Sequence, residues 1–445
     1  MSTSNFKVII VGGGPVGLTA ANALSHAGIN FVLLESRPNI VIDAGSNLVI
    51  LPMGLRLLGQ IGLLDTFNAV SSALGQIQRF DHNGRDLGEV NFFVHHKEIH
   101  GIASRVVSRH ALTQVLYDAL PASAHAEMHA NKKVRTITTT PSSATVHCTD
   151  GTSYTGTIVI GADGAHSLVR AQMRALALQS PSTSLDQINE DHPFLTTYRS
   201  LWIRFPTQAD LQPGDAKETH GVGCAIQLFA GEETSVIGMY ERLDEPTKDR
   251  LRFGPADEEA FIKRWGNLPL SRQLTVQDAY DSRVQAGLVS LEEGVVRNWS
   301  WERIVLVGDA AHKFTPSTGA GCNNGMVDVV ALVNELSRVV SSQEAPEMDT
   351  IAGAFKAYQE KRFAAVVSGC EGASKATATA TWKNKVFKFV DLHVISSHRV
   401  QKYLMHQAAP KVAATPALEF VEDGQMPEGK VPWVQSAVLP RAVKA

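Results

Sequence analysis

The stretch FKVIIVGGGPVGLTAANALSHAGINFVLLES, residues 6–36, constrains this chain more than any other. KVIIV is a short β-branched run of the kind that forms a buried parallel strand. GGGPVG supplies Gly-x-Gly-x-x-Gly as Gly12, Gly14 and Gly17. Leu18 to His26 reads as a helix, and Gly28 stands where a left-handed stop belongs. INFVLLE is a second strand ending in Glu35, eighteen residues after Gly17. Each residue type has a physical reason. Gly12 permits the tight turn, Gly14 lets a pyrophosphate approach the backbone, and Gly17 lets helix and strand pack closely. The helix N-terminus presents unpaired N–H groups and the positive end of its dipole to phosphate. Glu35 is placed to accept a hydrogen bond from a ribose hydroxyl. The pattern predicts an α/β fold with a Rossmann-type dinucleotide-binding unit. A glycine-rich turn in an unrelated fold would not bring the strand, the helix and the acid with it.

Two later stretches narrow the ligand. VGDAAHKFTPSTGAGCNNGMVD, Val307 to Asp328, lies between the apolar runs RIVL and VVALVNEL. A strand-to-helix connector needs only two to six residues, and this one is longer and rich in residues that expose backbone N–H groups. It reads as a loop that holds something flat, polar and partly anionic. YTGTIVIGADGAHSLVR, Tyr154 to Arg170, reads as a strand, a turn at Asp163 and Gly164, and a helix start. Arg170 is expected to help with phosphate charge.

In this order the three stretches resemble the fingerprints of the para-hydroxybenzoate hydroxylase family, the single-component (group A) flavin monooxygenases. Arg109, in SRHALTQVL, fits that family's Arg-x-x-Leu-x-x-x-Leu helix. The resemblance implies FAD as cofactor, NADPH or NADH as reductant and O2 as co-substrate, with oxygen delivered through a flavin C4a-hydroperoxide. It implies that Asp309 accepts a hydrogen bond from the ribityl chain and that Pro316 lies near the flavin's reactive edge. Gly319 and Gly321 would allow close approach to the pyrimidine end, and the Asn323 amide would pair with its polar edge. Asp163 and Gly164 would lie against the pyrophosphate, in the path of the nicotinamide. Arg109 would reach phosphate or ribose; the alternative is a surface Arg near Asp81 or Asp86. Elementary electrostatics points the same way, because a helix starting near Asn323 or Asn324 would stabilise negative charge on the reduced ring. Simple capping by those asparagines is compatible with that role.

One feature departs from the aromatic hydroxylases. The loop after Glu35 lacks the Arg that helps the flavin swing, so that motion is not carried over. VIDAGSNLVILPMGLRLLGQIGLL and the late KVPW, Lys430 to Trp433, are instead similar to fungal secondary-metabolism members of the family. These include epoxidases of indole-diterpene and meroterpenoid pathways. The implied substrate is an apolar small molecule: an aromatic or indole ring, or a prenyl alkene.

Composition excludes other classes. Lys+Arg 41 against Asp+Glu 44, net −3, gives no general pull toward nucleic acid. Four scattered Cys without a CxxC pair argue against a disulfide frame or zinc site, and no metal is expected. With no secretory leader in the sequence, a cytoplasmic location is expected. The run from Met326 to Val340 is short and interrupted by Asp328, Glu335 and Arg338, so no membrane span is expected. A single strand–GxGxxG–helix unit implies that the nicotinamide cofactor has no Rossmann domain of its own.

The remaining chain divides around these motifs. Residues 1–75, 101–180 and 292–375 are expected to form a discontinuous FAD-binding domain with a parallel sheet and a β-meander. Residues 76–100 and 181–291 are expected to form an inserted mixed-sheet substrate domain, with Asn83-Gly84 as a hairpin turn. Residues 376–445 read as an amphipathic helix and an extended tail containing Pro427, Pro432 and Pro440. His95, His96 and His100 in FFVHHKEIH read as a solvated loop or a pocket rim. His312 is read as shaping its loop. In TTYRSLWIRF, alternation puts Arg199 with Leu201, Ile203 and Phe205, where a cation is costly unless paired or bound. It is therefore a candidate to anchor substrate or donate a proton; the alternative is an ion pair with Glu190 or Asp191. Three rivals remain open. A flavin halogenase shares the fold, and WSWERI resembles its W-x-W-x-I-P without the Pro. An FAD-dependent oxidase would need no nicotinamide. A silent FAD-binding scaffold would show no turnover.

Overall fold

Two large sheets of opposite character organise the molecule. The computed structural model describes residues 6–43, 45–343, 345–423 and 426–434. The first sheet has six strands in the order Ser300–Trp301, Ile304–Leu306, Ile158–Gly161, Lys7–Val11, Asn30–Leu34, Met128–His129. Apart from the Ser300–Trp301 edge, its pairings are parallel. Val8, Ile9 and Ile10 are fully buried, which is why their run is continuously apolar rather than alternating. The helix Pro15–Ala27 follows, with Pro at its start and Gly28 at φ 72° closing it. The Ile29 amide reaches back to the Leu24 carbonyl, as a left-handed cap requires. This helix packs against the 23-residue helix Ala320–Ser342.

The second sheet has eight strands, from His312–Lys313 through Gln285–Val295, Leu195–Pro206, Thr234–Thr247, Cys224–Ala230, Ala216–His220 and Ile77–Asp81 to Asp86–Val90. Its pairings are antiparallel except that of Ala216–His220 with Ile77–Asp81. Its back is covered by the helix Pro255–Trp265, whose Phe261 is fully buried among Leu201, Ile203 and Phe205. Its front faces the first sheet's loops.

Several expectations need correction. FFVHHKEIH is not a loop: Phe92–His100 is a helix, and His100 is 1% exposed against the Trp433 ring. Burial holds His96 down to about 3 and His100 to about 4, so both stay neutral. GTSYTGTIVI breaks at Thr157; Ser153–Gly156 closes a three-stranded meander, while Ile158–Gly161 joins the parallel sheet. The helix Met348–Ala380 is 33 residues long, and the helix His398–Ala413 follows it. The following coil is tied back where Arg56 meets Asp423 at 2.5 Å. Pro427 and Pro432 belong to that coil, and Pro440 lies outside the described residues. Among the described residues no helix is long and apolar enough to cross a membrane, and no cluster of His, Cys, Asp and Glu is arranged to hold a metal ion.

Candidate active site

The loops that end the parallel strands meet the front of the antiparallel sheet at a cavity of about 380 Å³. On one side stand Gly14, Ala162, Gly164, Asp309, Pro316, Gly319, Gly321 and Arg109; on the other, Ser200, Trp202, Gln227, Phe229, Gly238 and Tyr240. The glycine turn is sterically obligatory. A Cβ on Gly17 would lie 1.9 Å from the Gly12 carbonyl oxygen. Gly12 itself sits at φ 108°, where a Cβ would be 2.5 Å from the Ala162 oxygen. At Gly14 the space is open; the nearest atom to a Cβ would be Arg109 Nη2 at 3.5 Å.

Two helix N-termini end at this cavity without a side-chain cap, at Gly14 and at Gly319. Their first N–H groups are therefore available to an outside acceptor, and their dipoles favour negative charge there. The second helix begins at Ala320, earlier than the expected Asn323 or Asn324, because Gly319 takes a left-handed φ of 64° and turns the chain. Arg109 is the first residue of the helix Arg109–Asp118, which Ser108 caps through the Ala111 amide. Its exposed side chain makes no hydrogen bond or ion pair with a described residue. Asp81 and Asp86, its alternative partners, are spent on the amides of their own hairpin. Asp309 lies in the turn Gly308–Ala310, 2.5 Å from Lys313 Nζ. Burial acts to raise its pKa, but the Lys313 charge and hydrogen bond outweigh that and hold the carboxyl below its usual range. Pro316 opens the turn Pro316–Thr318 at the cavity edge. An anionic dinucleotide with a flat ring fits this half: open glycine backbone, uncapped helix ends and an unpaired guanidinium.

Four expected contacts belong to the protein's own scaffold instead. The Glu35 carboxylate accepts from the Gly13 amide at 2.7 Å and from the Arg37 side chain at 2.9 and 3.0 Å, so it pins the turn rather than presenting free oxygens to a ribose. Burial acts to raise its pKa, and the Arg37 and Gly13 hydrogen bonds bring it below the ordinary value. Asp163 accepts from Ser167 Oγ and the Val169 amide, capping the next helix; burial pushes its pKa up. Arg170 does not reach toward phosphate: it donates to the carbonyls of Ala310 and Ala165 and lies over Phe194. The Asn323 amide is fully buried, accepting from Leu51 N and donating to the Val49 and Gly319 carbonyls. It fastens the helix to the strand Asn47–Ile50 and has no hydrogen left for a ring.

Arg199 is also corrected. It lies on the back of the antiparallel sheet, 2.5 Å from Glu241, and its guanidinium stands over Phe261. The period-2 alternation holds, but the face with Leu201, Ile203 and Phe205 is the core; Ser200 and Trp202 face the cavity. The ion pair is real, with Glu241 rather than Glu190 or Asp191. His312 is structural, fully buried at 2.5 Å from Asp328, which Arg362 also holds at 2.8 Å. Trp299 of WSWERI is buried beside His312 and Tyr358 and donates to the Val296 carbonyl. Lys313, Gln227 and Tyr240 were not singled out from the sequence. The opposite phase of the same strand alternation was the signal that could have found the sheet face.

Comparison with known proteins agrees with this geometry. The FAD binding domain family matches residues 5–368. An FAD-dependent monooxygenase of Aspergillus fumigatus, spyC, is 32% identical over 82% of this chain and 78% of its own. Another from Neurospora crassa, srdH, is 29% identical over 98% of this chain and 100% of its own. Among solved structures, p-nitrophenol 4-monooxygenase from Pseudomonas putida superposes with a TM-score of 0.72 at 19% identity, covering 93% of this chain and 99% of that one. A salicylate hydroxylase substrate complex gives 0.69 at 18% identity, covering 94% and 100%. These two likenesses establish the fold alone. The chain belongs to the FAD binding domain family, among the FAD-dependent monooxygenases.

Proposed function

We propose that this enzyme uses FAD, reduced by NADPH or NADH, to insert one atom of O2 into an apolar aromatic, indole or prenylated small molecule. Hydroxylation and epoxidation both fit, and the setting is secondary-metabolite synthesis. The observation that carries the reading is the two-sided cavity: glycine backbone and uncapped helix ends on one wall, an apolar sheet face on the other. Bound FAD would supply the two-electron chemistry and the activation of O2. The protein's groups do the rest. Gly14 and the first turn of Pro15–Ala27 would receive the pyrophosphate, with Arg109 as its counter-charge. Asp309, kept ionised by Lys313, would accept a ribityl hydroxyl proton in a hydrogen bond. Gly319 and Gly321 would admit the ring against the N-terminus of Ala320–Ser342, where the helix dipole favours anionic ring states. Trp202, Phe229, Val236, Val289 and Leu291 would seat substrate and exclude water.

The test is NADPH and NADH oxidation by FAD-loaded protein under air, across phenols, indoles and prenylated aromatics. The expected result is substrate-stimulated oxidation with a product gaining one oxygen atom. Bleaching of the flavin by a substrate alone under nitrogen would favour an oxidase, and a chloride-dependent product would favour a halogenase. Silence toward every compound would count for a scaffold.

A further inference from the structure

The antiparallel wall of the cavity contains a chain of hydrogen bonds with only one possible direction. Tyr240 Oη lies 2.7 Å from Gln227 Oε1. The Gln227 amide cannot be turned round. Its Nε2 lies 2.7 Å from Glu218 Oε1 and 2.9 Å from the Ser317 carbonyl oxygen, and both are acceptors. Glu218 is a carboxylate: burial acts to raise its pKa, and the hydrogen bond and charge of His220 bring it below the usual value. His220 is itself clamped, Nε2 to Glu218 at 3.0 Å and Nδ1 to Asp391 at 2.9 Å. Asp391 also accepts from Arg79 and from the Trp382 indole. Both Gln227 hydrogens are therefore spent, and its oxygen must receive the single hydrogen of Tyr240. Burial pushes the Tyr240 phenol up, so it remains neutral. A phenol whose hydrogen is committed can offer only lone pairs to a cavity.

Trp202 pairs with Gly238 on one flank and Gly287 on the other. Its indole lies over Gly287, where a Cβ would be 2.9 Å from Nε1. Gly238 lies under the edge of the Tyr240 ring, where a Cβ would be 3.1 Å from Oη and 3.6 Å from Cε1 and Cζ. We propose that Tyr240, which lines the cavity, determines substrate specificity by accepting a hydrogen bond from an O–H or N–H of a flat substrate held there. The favoured class is then a phenol or an N–H indole, with Gln227 as the positioning residue that fixes the acceptor. This rests on the reading of the cavity as the substrate site.

FAD-loaded protein without reductant provides the test, with the flavin's visible spectrum reporting binding. The probes are 2-naphthol against 2-methoxynaphthalene and indole against 1-methylindole. The O–H or N–H member of each pair should bind about tenfold more tightly. Tyr240→Phe should abolish that difference while leaving 2-methoxynaphthalene binding unchanged. Gln227→Met, which keeps the Tyr240 oxygen but frees its hydrogen to donate, should tighten binding of 2-methoxynaphthalene and so narrow the preference. Equal binding of each pair by the wild type, a preference that survives Tyr240→Phe, or 2-methoxynaphthalene binding unmoved by Gln227→Met overturns the inference and leaves the cavity's assignment standing. If no probe perturbs the wild-type flavin, the substrate site itself is misassigned and the inference falls with it.

Discussion

The parallel sheet and the antiparallel sheet meet at one cavity but are held together differently. Around the parallel sheet the structure rests on close backbone approach and apolar burial, as at Gly17 against Gly12 and at Val8, Ile9 and Ile10. Both halves also hold buried charge: His312, Asp328 and Arg362 beside the parallel sheet, and in the antiparallel sheet a longer network that reaches the cavity. Arg79 and Asp391, both wholly buried, link the strand Ile77–Asp81 to the short helical turn Val390–Ile395, 2.7 Å apart. Glu218 and His220 extend the same network toward the cavity. One half presents bare backbone to the cavity and the other orients side chains toward it, and their sensitivities to mutation should differ accordingly.

The largest expected effect breaks the charged tie. Arg79→Met leaves Asp391 buried with less compensation and should cost about 3–5 kcal/mol in urea unfolding. A loss below about 1 kcal/mol would mean that apolar packing alone holds this sheet.

The pH dependence of stability sharpens the contrast. His220 is surrounded by Glu218, Asp391, Arg79 and, more weakly, His82. Burial acts to lower its pKa, but hydrogen bonds to Asp391 and Glu218 and their charges raise it to about 9. A group whose folded pKa is raised stabilises fully below its unfolded pKa, and that stability is lost as pH rises through the folded one. Between pH 6.5 and about 9 the wild type should lose on the order of 1–3 kcal/mol that His220→Gln does not lose. Parallel curves for the two proteins would remove His220 from the network.

In the parallel half the sensitive point is uncharged. Gly17→Ala puts a methyl group against the Gly12 carbonyl and should cost about 1–3 kcal/mol, with FAD lost from purified protein. The check is flavin absorbance per protein alongside unfolding. Full FAD retention would mean that the turn can relax where the structure shows none of the needed room.

The smallest effect is expected at Arg199. Glu241 keeps Arg264 and the Trp265 indole as partners, so Arg199→Ala should cost about 1 kcal/mol or less and leave KM unchanged. A raised KM with FAD still bound would restore Arg199 to the substrate side.

Legibility followed the same division. The glycine turn, the helix after it and the Asp309 loop could be read because their function is carried by local backbone conformation. The side-chain assignments within them were less legible. Glu35, Asp163 and Asn323 stand at the expected positions, but their hydrogen bonds go to Arg37, Ser167 and the Val49–Leu51 backbone. A position in a motif does not say what else competes for an acceptor. Arg199 shows a related limit: period-2 alternation sorts a strand into two faces without saying which one is covered.

The sequence by itself determined the dinucleotide-binding unit, the order of its motifs and the family, because these depend on contacts within a strand, a turn and the next helix. Only the tertiary structure decided which face of Leu195–Pro206 meets the cavity. It alone assembled the wall from Gln227, Tyr240 and the network behind them, in which His220 and Asp391 are 171 positions apart. No local pattern encodes a hydrogen bond between such distant residues. It exists because packing of the C-terminal helices against the sheet buries both groups, and burial makes an unpaired partner too costly.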